Sequence, residues 1–307
     1  MTLIGSQEPA SSVEAILNAA AGSLASSQGR EDLSRLLEDT MPGIRISFAE
    51  GNQLRPLAEA AKARRCRMVI AGGGDGTINA IASEVAGTGI VLGILPLGTR
   101  NHFARDMGVT DKLEAAVHNL RRGVVREVDA AEVNGRIFVN NSGLGLYPEL
   151  VRQRDRLQRR GVSKRMAALW AAIRALRHYR LLTIRVSVRG QEVLRHTPLV
   201  FVGNNQYEME GLKAGTRVCL DAGQLCLYLP HPTSRLKLLA MSISALLGKL
   251  HRNEDFDVVL ASELQIGTKR QRALDVTIDG EVTKMTGPLH YKIRPKALRV
   301  MVPAEKP

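Results

Sequence analysis

One feature limits the possible folds of this chain more than any other. It is a strand-like apolar run, followed by a turn with four glycines and then by a helical pattern. The apolar run covers residues 68–71, the next six residues are Gly-Gly-Gly-Asp-Gly-Thr, and the helical pattern begins at Ile78. Because glycine has no Cβ, main-chain N–H groups can come close to a polyphosphate, and the N-terminus of a helix favours negative charge. The sequence therefore predicts a phosphate-binding turn at a strand–helix junction.

Two side chains in this turn carry chemistry of their own. Thr77 can cap the helix or donate its hydroxyl to a phosphate. A carboxylate such as Asp75 faces a phosphate only when Mg²⁺ bridges the two or when the carboxylate handles a proton. The alternative is a plain tight turn closed by the Asp75 side chain. The four glycines favour phosphate binding over that alternative.

The turn fits neither of two widespread nucleotide-binding motifs. It has no Gly-Lys-Ser/Thr ending, which excludes a Walker loop. Thr77 stands where the dinucleotide-binding fingerprint has its last glycine. An enzyme of hydride transfer is therefore disfavoured.

Short apolar runs alternate with helical patterns as far as about residue 126. The predicted strands are 13–17, 44–48, 68–71 and 90–95. This alternation predicts parallel strands joined by crossover helices, in an open α/β sheet whose ligands lie at the carboxyl ends of the strands. A second loop follows the fourth strand, and its Thr99 and Asn101 are predicted to offer polar side chains to the same ligand.

The pattern changes near Val128, where strands begin to dominate. Asn134-Gly135 predicts a tight hairpin turn. Helices are predicted at about 163–180 and 234–251. The further predicted strands are 183–188, 199–203, 225–229, 256–260 and 276–278. We expect this half to be an antiparallel sheet or a sandwich.

The chain carries a large excess of positive charge, with 43 Lys and Arg residues against 30 Asp and Glu. The formal net charge of +13 attracts polyanions, which are nucleic acids, nucleotides or an anionic membrane face. Aromatic residues make up only 4% of the chain and no recognition motif is present, so we expect no nucleic-acid partner. Three scattered cysteines fit neither a zinc site nor a disulfide framework and are predicted to be reduced.

The hydropathy pattern predicts a cytoplasmic protein. No apolar segment reaches the length of a membrane-spanning helix, and no secretory signal is recognised. Amphipathic patterns with basic edges at 152–180 and 235–252 are typical of helices that pack on a sheet or lie in a membrane interface. In the first pattern, Arg174, Arg177 and Arg180 lie on or beside the apolar stripe. They predict peripheral association with the inner, anionic face of the membrane.

The two glycine-containing loops together resemble a known family. Residues 72–77 (GGGDGT) and 95–108 (LPLGTRNHFARDMG) are similar to the diacylglycerol kinase catalytic domain of the bacterial soluble lipid kinases, which are related to the sphingosine kinases. The resemblance covers nearly the whole chain. It includes an opening strand and loop at 16–23, the start of a second domain at 128–145, and an Asp-Gly-Glu turn at 279–281.

This resemblance implies a chain of two domains. Residues 12–126 would form a Rossmann-like nucleotide-binding α/β domain with a parallel sheet, and the C-terminal tail 296–307 would complete it. Residues 127–295 would form a β-sandwich domain with inserted helices, which receives the lipid. ATP and lipid would meet in the cleft between the domains.

The resemblance also implies roles for individual residues. Asp75 would serve the Mg²⁺–phosphate end of ATP, and Glu281 would be the base that takes the proton from the lipid hydroxyl, in a catalytic turn with Asp279. Asp221 would bind a structural Mg²⁺ together with nearby main-chain oxygens. The other ATP-binding residues would be Asn18, Ser47 at the end of the second strand, Gly72, Gly73, Gly74, Gly76, Thr77, Ile78, Thr99 and Asn101.

Three positions depart from the family pattern. Ala19 stands where the opening loop usually has proline, and His102 stands where many members have aspartate. Ala222 occupies the position just before Gly223, in the turn that would bind the structural Mg²⁺. The opening loop and the structural metal site are therefore the parts in which this chain differs most from its family.

The sequence as a whole predicts an ATP- and Mg²⁺-dependent lipid kinase that phosphorylates a hydroxyl of diacylglycerol or a related lipid at a membrane surface. Two alternatives stay open. One is a NAD kinase, which shares a Gly-Gly-Asp-Gly turn, and the other is a non-catalytic nucleotide- or lipid-binding member of the family. The sequence leaves open which lipid is phosphorylated and whether the protein forms a homodimer.

Overall fold

The computed structural model describes residues 13–99, 101–159, 166, 170, 181–208, 216–231, 256–268 and 273–304. The chain divides into a first unit, Met1–Val128 with Lys296–Pro307, and a second unit, Asp129–Pro295. The described residues form sixteen strands and six α-helices, in this order: β1 (Val13–Asn18), α1 (Ser27–Thr40), β2 (Arg45–Ala49), α2 (Leu54–Ala63), β3 (Met68–Gly73), α3 (Asp75–Val85), β4 (Val91–Pro96), α4 (His102–Asp106), α5 (Leu113–Arg122), β5 (Val124–Val133), β6 (Arg136–Phe138), β7 (Asn141–Gly145), α6 (Leu146–Arg159), β8 (Leu182–Val188), β9 (Gln191–Thr197), β10 (Leu199–Asn204), β11 (Leu225–Pro230), β12 (Phe256–Ala261), β13 (Glu263–Thr268), β14 (Ala273–Ile278), β15 (Glu281–Thr286) and β16 (Leu289–Val302).

The first unit is built on a parallel sheet. Its strands lie in the order β2-β1-β3-β4, and the end of β16 pairs with β4 in the same direction through Arg299 and Val300. Both β3 and β4 are buried along their whole length, as expected for central strands that helices cover on both faces. The predicted α/β domain with a parallel sheet is confirmed.

The helices of the first unit bury the apolar residues that their spacing places on one face. Helix α1 buries Leu33 and Leu37, and α5 buries Val117 and Leu120. Helix α5 ends at Gly123, where the sequence predicted its end. Amphipathic stripes of this kind hold helices against a sheet, because each buried side chain removes apolar surface from water.

The second unit consists of two antiparallel sheets. One has the order β12-β11-β10-β7-β14-β15. The other contains the start of β16 followed by β13, β8 and β9. Buried side chains from both sheets share one core, in which Phe138 and Tyr291 meet edge to face with ring centroids 6.3 Å apart. The predicted β-sandwich is confirmed.

The predicted hairpin turn at Asn134-Gly135 joins β5 to β6. Both residues have positive φ values, 46° and 78°, as a two-residue turn of type I′ requires. The sequence analysis missed β9, because nearly all of its side chains are exposed and it shows no alternation of apolar and polar residues.

The structure also contains α6, whose start and end the sequence analysis did not predict. Most of its residues are charged or polar, and Pro148 stands in its first turn, where a helix tolerates proline. The helices predicted at about 163–180 and 234–251 lie outside the described residues, except for Met166 and Trp170, which are helical. None of the helices that the structure describes has both the length and the apolarity needed to cross a bilayer.

Candidate functional site

Three loops meet at the carboxyl edge of the parallel sheet in the first unit. They follow β1, β3 and β4. The Leu97 N–H donates to the carbonyl of Gly73 at 3.0 Å, which ties the third loop to the second. The Asn18 side chain donates to Thr77 Oγ1 at 2.9 Å, which ties the first loop to the second. The structure therefore brings together the loops that the sequence placed at one edge of a parallel sheet.

The glycine turn opens α3 without a side-chain cap. Gly74 is the N-cap residue and α3 begins at Asp75. The main-chain N–H groups of Asp75, Gly76 and Thr77 lie in the first turn, where the helix itself provides no carbonyl acceptor. Gly74 and Asp75 are half-buried and Gly76 is exposed. This end of α3 therefore presents main-chain donors and the positive end of the helix dipole to solvent.

The glycines of the two loops are needed for close packing. A Cβ on Gly98 would lie 2.5 Å from the Cα of Gly74. A Cβ on Gly73 would lie 2.5 Å from Thr77 Oγ1, and one on Gly72 would clash with the Leu17 side chain. Side chains at these positions would therefore push the loops apart.

Thr77 faces into the protein rather than into the turn. The residue is 4% exposed and stands in the third position of α3. Its hydroxyl accepts the hydrogen bond from Asn18, whose own Oδ1 accepts the N–H of Ala20 at 3.0 Å. The prediction that Thr77 caps the helix is wrong, because Gly74 holds the cap position. Instead, Thr77 anchors the opening loop through Asn18.

The Asp75 carboxylate reaches across to the segment that follows β4. Its Oδ1 accepts the N–H of Phe103 at 3.4 Å, a contact between α3 and α4. In the alternative, Asp75 would close a tight turn by bonding to a residue close to it in sequence. Phe103 is 28 residues away, so this hydrogen bond is not such a turn. A carboxylate in the first turn of a helix is also stabilised by the helix dipole.

Asn101 organises the loop after β4 from within. It is 2% exposed and has a left-handed backbone with φ of 50°. Its Nδ2 lies within hydrogen-bond distance of Pro96 O (3.2 Å), Gly98 O (3.0 Å) and Asp111 Oδ1 (3.0 Å). Its amide nitrogen therefore serves the shape of the loop, whereas Thr99 in the same loop is exposed.

Ser47 does not lie where the sequence analysis placed it. Strand β2 continues to Ala49, so Ser47 is inside the strand, paired with Ile16 and half-buried. The end of the strand is instead joined to the first loop by a hydrogen bond from the Ala19 N–H to the Ala49 carbonyl at 3.0 Å. The predicted strand ended one residue too early, because Phe48 is the last large apolar residue of the run.

In the second unit, Asp279 and Gly280 form the two-residue turn between β14 and β15. Both have positive φ values, 49° and 85°. Glu281 is the first residue of β15, pairs with Ile278 and is exposed to solvent. The turn therefore presents the Glu281 carboxylate to solvent at the end of a hairpin.

The Asp279 carboxylate fastens this turn to the segment before β7. It accepts the N–H groups of Val139 (2.9 Å), Asn140 (2.8 Å) and Asn141 (3.0 Å). Burial raises the pKa of Asp279 to about 6, although these three N–H groups and the positive charge of Arg217 favour the ionised form. These hydrogen bonds hold the hairpin turn that precedes Glu281 against the segment 139–141.

Several buried polar residues of the second unit were missed. Asn204 is fully buried and donates through Nδ2 to the carbonyls of Asp129 and Val139, both at 2.9 Å. Asn205 donates through Nδ2 to Asp129 Oδ2 at 3.1 Å. The sequence does contain a sign of these residues, because the pair Asn204-Asn205 stands directly after the predicted strand 199–203.

Comparison with known proteins agrees with this architecture. Residues 12–133 match the family model described as diacylglycerol kinase catalytic domain, and residues 150–302 match the YegS C-terminal NAD kinase beta sandwich-like domain. A protein of Pseudomonas fluorescens named "Probable lipid kinase YegS-like" is 30% identical over 271 residues, which are 86% of each chain. The chain belongs to the YegS-like lipid kinase family.

Two further matches bear on this family assignment. An "Uncharacterized protein" of Synechocystis sp. is 26% identical over 242 residues, 77% of this chain, and the match spans only 55% of that relative's length. A crystal structure of a diacylglycerol kinase from Bacillus anthracis superposes with a TM-score of 0.69 at 21% identity, covering 94% of this chain and 96% of the other. At that identity the superposition establishes the lipid kinase fold alone.

Proposed function

We propose that the chain is an ATP- and Mg²⁺-dependent kinase that transfers the γ-phosphate of ATP to a hydroxyl of diacylglycerol or a related lipid. The observation that carries this proposal is the open N-terminus of α3, at the edge where three loops meet. Membership of the lipid kinase family supports the acceptor class. The Bacillus anthracis protein is named a diacylglycerol kinase, which supports that lipid as the first acceptor to test.

The nucleotide phosphates are assigned to the main-chain N–H groups of Asp75, Gly76 and Thr77. These donors need no rearrangement to receive an anion, since they have no acceptor within the helix. Thr99 is exposed in the neighbouring loop and is assigned to the same ligand. Asn18 and Asn101 act indirectly, because their side chains hold the loops in place.

The residues of this edge fit a nucleotide-bound Mg²⁺. The metal prefers oxygen ligands and is commonly held by one or two carboxylates together with substrate phosphates and water. Asp75 is a half-buried carboxylate at the opening of the phosphate turn. When bound, the metal neutralises negative charge that develops on the transferred phosphoryl group.

Glu281 is assigned as the general base. The lipid hydroxyl oxygen forms a bond to the γ-phosphorus, the bond from that phosphorus to the β–γ bridging oxygen breaks, and ADP leaves. The hydroxyl proton passes to the Glu281 carboxylate. Asp279 keeps the hairpin turn in place through its three main-chain hydrogen bonds and takes no proton in this scheme.

We also propose that the protein binds the anionic inner face of the membrane peripherally while it acts. Support comes from the net charge of +13 and from the basic segment 152–180, of which the structure describes only residues 152–159, 166 and 170. Replacement of Arg174, Arg177 and Arg180 by Gln should reduce pelleting with anionic vesicles. Unchanged pelleting would contradict this assignment.

The reaction is tested with radiolabelled ATP and a panel of acceptors: diacylglycerol, ceramide, sphingosine, phosphatidylglycerol, polyprenol and NAD. We expect labelled lipid, and we expect Asp75→Asn to abolish the label while the protein stays folded. Label in NAD alone would contradict a lipid kinase and favour NAD phosphorylation. ATP binding without any labelled product would favour a non-catalytic member of the family.

A further inference from the structure

The second unit contains a cluster of four buried polar residues, Asp129, Asn204, Asn205 and Arg217, beside the half-buried Asp279. We propose that the Arg217 guanidinium is the internal cation of this cluster, and that the second unit therefore folds without the structural Mg²⁺ that the family resemblance implies. This inference does not depend on the proposed kinase reaction. It rests on the turn that would hold the metal and on the position of Arg217.

The residues of the turn at 220–224 do not fit a metal. Ala222 supplies no side-chain ligand at the position before Gly223, and the neighbouring Asp221 is exposed to solvent. The Leu220 carbonyl accepts the N–H of Asp129 at 2.8 Å.

The turn is instead fastened to Asp129. This aspartate is 1% exposed, and its Oδ2 accepts the Gly223 N–H at 2.7 Å. The same Oδ2 accepts Asn205 Nδ2 at 3.1 Å, and the Asn205 N–H donates to the Gln224 carbonyl at 3.0 Å. Main-chain and amide hydrogen bonds thus close the turn that a carboxylate–metal contact would otherwise close.

Arg217 brings a permanent positive charge into the same cluster. The residue is only 9% exposed, and its Nη1 donates to the Val139 carbonyl at 2.6 Å. Val139 begins the segment whose N–H groups Asp279 accepts, and the Arg217 charge favours the ionised form of Asp279.

The charges of the cluster explain why a cation is needed. Asp129 is withdrawn from water and Asp279 is half-buried, and such carboxylates are costly unless a positive charge or hydrogen-bond donors compensate them. An arginine supplies both at once, with five N–H donors in a fixed plane. The Val139 carbonyl of this cluster is already engaged by a cation, because it accepts the hydrogen bond from Arg217 Nη1.

Thermal unfolding of the full chain without nucleotide tests this inference. The midpoint should be the same in EDTA and in millimolar Mg²⁺, to within about 1 °C, because no structural ion is lost or gained. The comparison is repeated with Asp75→Asn, which removes the carboxylate proposed to meet Mg²⁺ in the first unit. A midpoint that Mg²⁺ raises by more than about 3 °C in both proteins would overturn the inference.

Substitutions at Arg217 separate its charge from its packing. Arg217→Met should lower the midpoint by roughly 5–10 °C, because it removes a buried positive charge that favours the ionised form of Asp279, whereas Arg217→Lys should lower it by less than half as much. The control is Arg294→Met, which removes an exposed arginine paired with Glu132 at 2.8 Å and should shift the midpoint by about 2 °C or less. Equal losses for the Met and Lys variants of Arg217 would show that its charge has no such role.

Discussion

Gly74 and Gly98 approach each other backbone to backbone, so that a Cβ on Gly98 would lie 2.5 Å from the Gly74 Cα. The two residues belong to different loops, one after β3 and the other after β4. A contact this close leaves no room for a side chain at Gly98, and it sets the spacing of the two loops at the carboxyl edge of the sheet. The proposed nucleotide site therefore depends on a steric condition as well as on hydrogen bonds.

The first prediction is that Gly98→Ala weakens ATP binding. The added methyl group would meet the main chain of Gly74, which cannot rotate away as a side chain could. The loop after β4 must therefore move away from the start of α3. We expect the dissociation constant for ATP to rise at least about tenfold and the free energy of unfolding to fall by about 1–3 kcal/mol. Calorimetric titration and denaturant unfolding measure the two effects.

A matched control is Gly267→Ala in β13. A Cβ there would have its nearest neighbour, the Arg185 carbonyl, at 4.0 Å. This variant should therefore bind ATP like the unmodified protein. If Gly98→Ala also binds ATP normally, the contact between the loops has no bearing on the nucleotide.

The second prediction concerns the hydrogen bond between Asn18 and Thr77. Thr77→Val keeps the shape of the side chain but removes the acceptor of the Asn18 amide, so we expect a loss of about 1–2 kcal/mol in stability and weaker ATP binding. Thr77→Ser keeps the hydroxyl and should be close to the unmodified protein. A double-mutant cycle with Asn18→Ala should give a coupling of about 1 kcal/mol, and strict additivity would refute the link.

The third prediction separates the roles of two exposed glutamates that each open a strand. Glu281 opens β15, and Glu263 opens β13. Glu281→Gln should lower lipid phosphorylation at least about 100-fold, because the amide cannot accept the hydroxyl proton, while ATP binding stays unchanged. Glu263→Gln should leave the rate unchanged. A Glu281→Gln enzyme with normal turnover would remove Glu281 from the mechanism.

The fourth prediction is a pH dependence of stability that comes from Asp279. Burial raises its pKa from the ordinary 3.8 to about 6, so the folded state binds this proton more tightly than the unfolded state. The stability that the group contributes is therefore complete below about pH 4 and is lost as the pH rises through about 6. Relative to Asp279→Asn, the protein should lose up to about 3 kcal/mol across that range in denaturant unfolding.

Asp257 provides a control of opposite sign. His231 and Arg195 lower the pKa of this carboxyl, so its contribution to stability is present at neutral pH and is lost as the pH falls. Relative to Asp257→Asn, the unmodified protein should therefore lose stability as the pH falls, whereas relative to Asp279→Asn it should lose stability as the pH rises. If the stability of Asp279→Asn depends on pH in the same way as that of the unmodified protein, the raised pKa of Asp279 is contradicted.

The fold could be predicted because its determinants are local. Buried parallel strands such as β3 and β4 are continuous apolar runs, and Gly123 and Asn134-Gly135 mark where a helix stops and a hairpin turns. The alternation of strands and helices then predicts that the strands run parallel to one another. The second half of α6 lies within the amphipathic pattern predicted at 152–180, but its start at Leu146 and its end at Arg159 were not predicted.

Contacts between distant residues could not be predicted in the same way. The glycine turn was found, but nothing in its spacing shows that Thr77 bonds to Asn18 or that Asn101 supports its own loop. Asp279 reaches main-chain groups 138–140 positions away along the chain. Such pairings depend on tertiary packing, which sequence periodicity does not encode.

The last strand has a consequence for how the chain is made. Residues Arg299 and Val300 of β16 cover the free side of β4, yet they leave the ribosome only after the whole second unit has been synthesised. Until then, β4 is an open edge that can pair with a strand of another nascent chain. A stop codon directly after Pro295 should therefore cause aggregation during expression, even though every loop of the nucleotide site is still encoded.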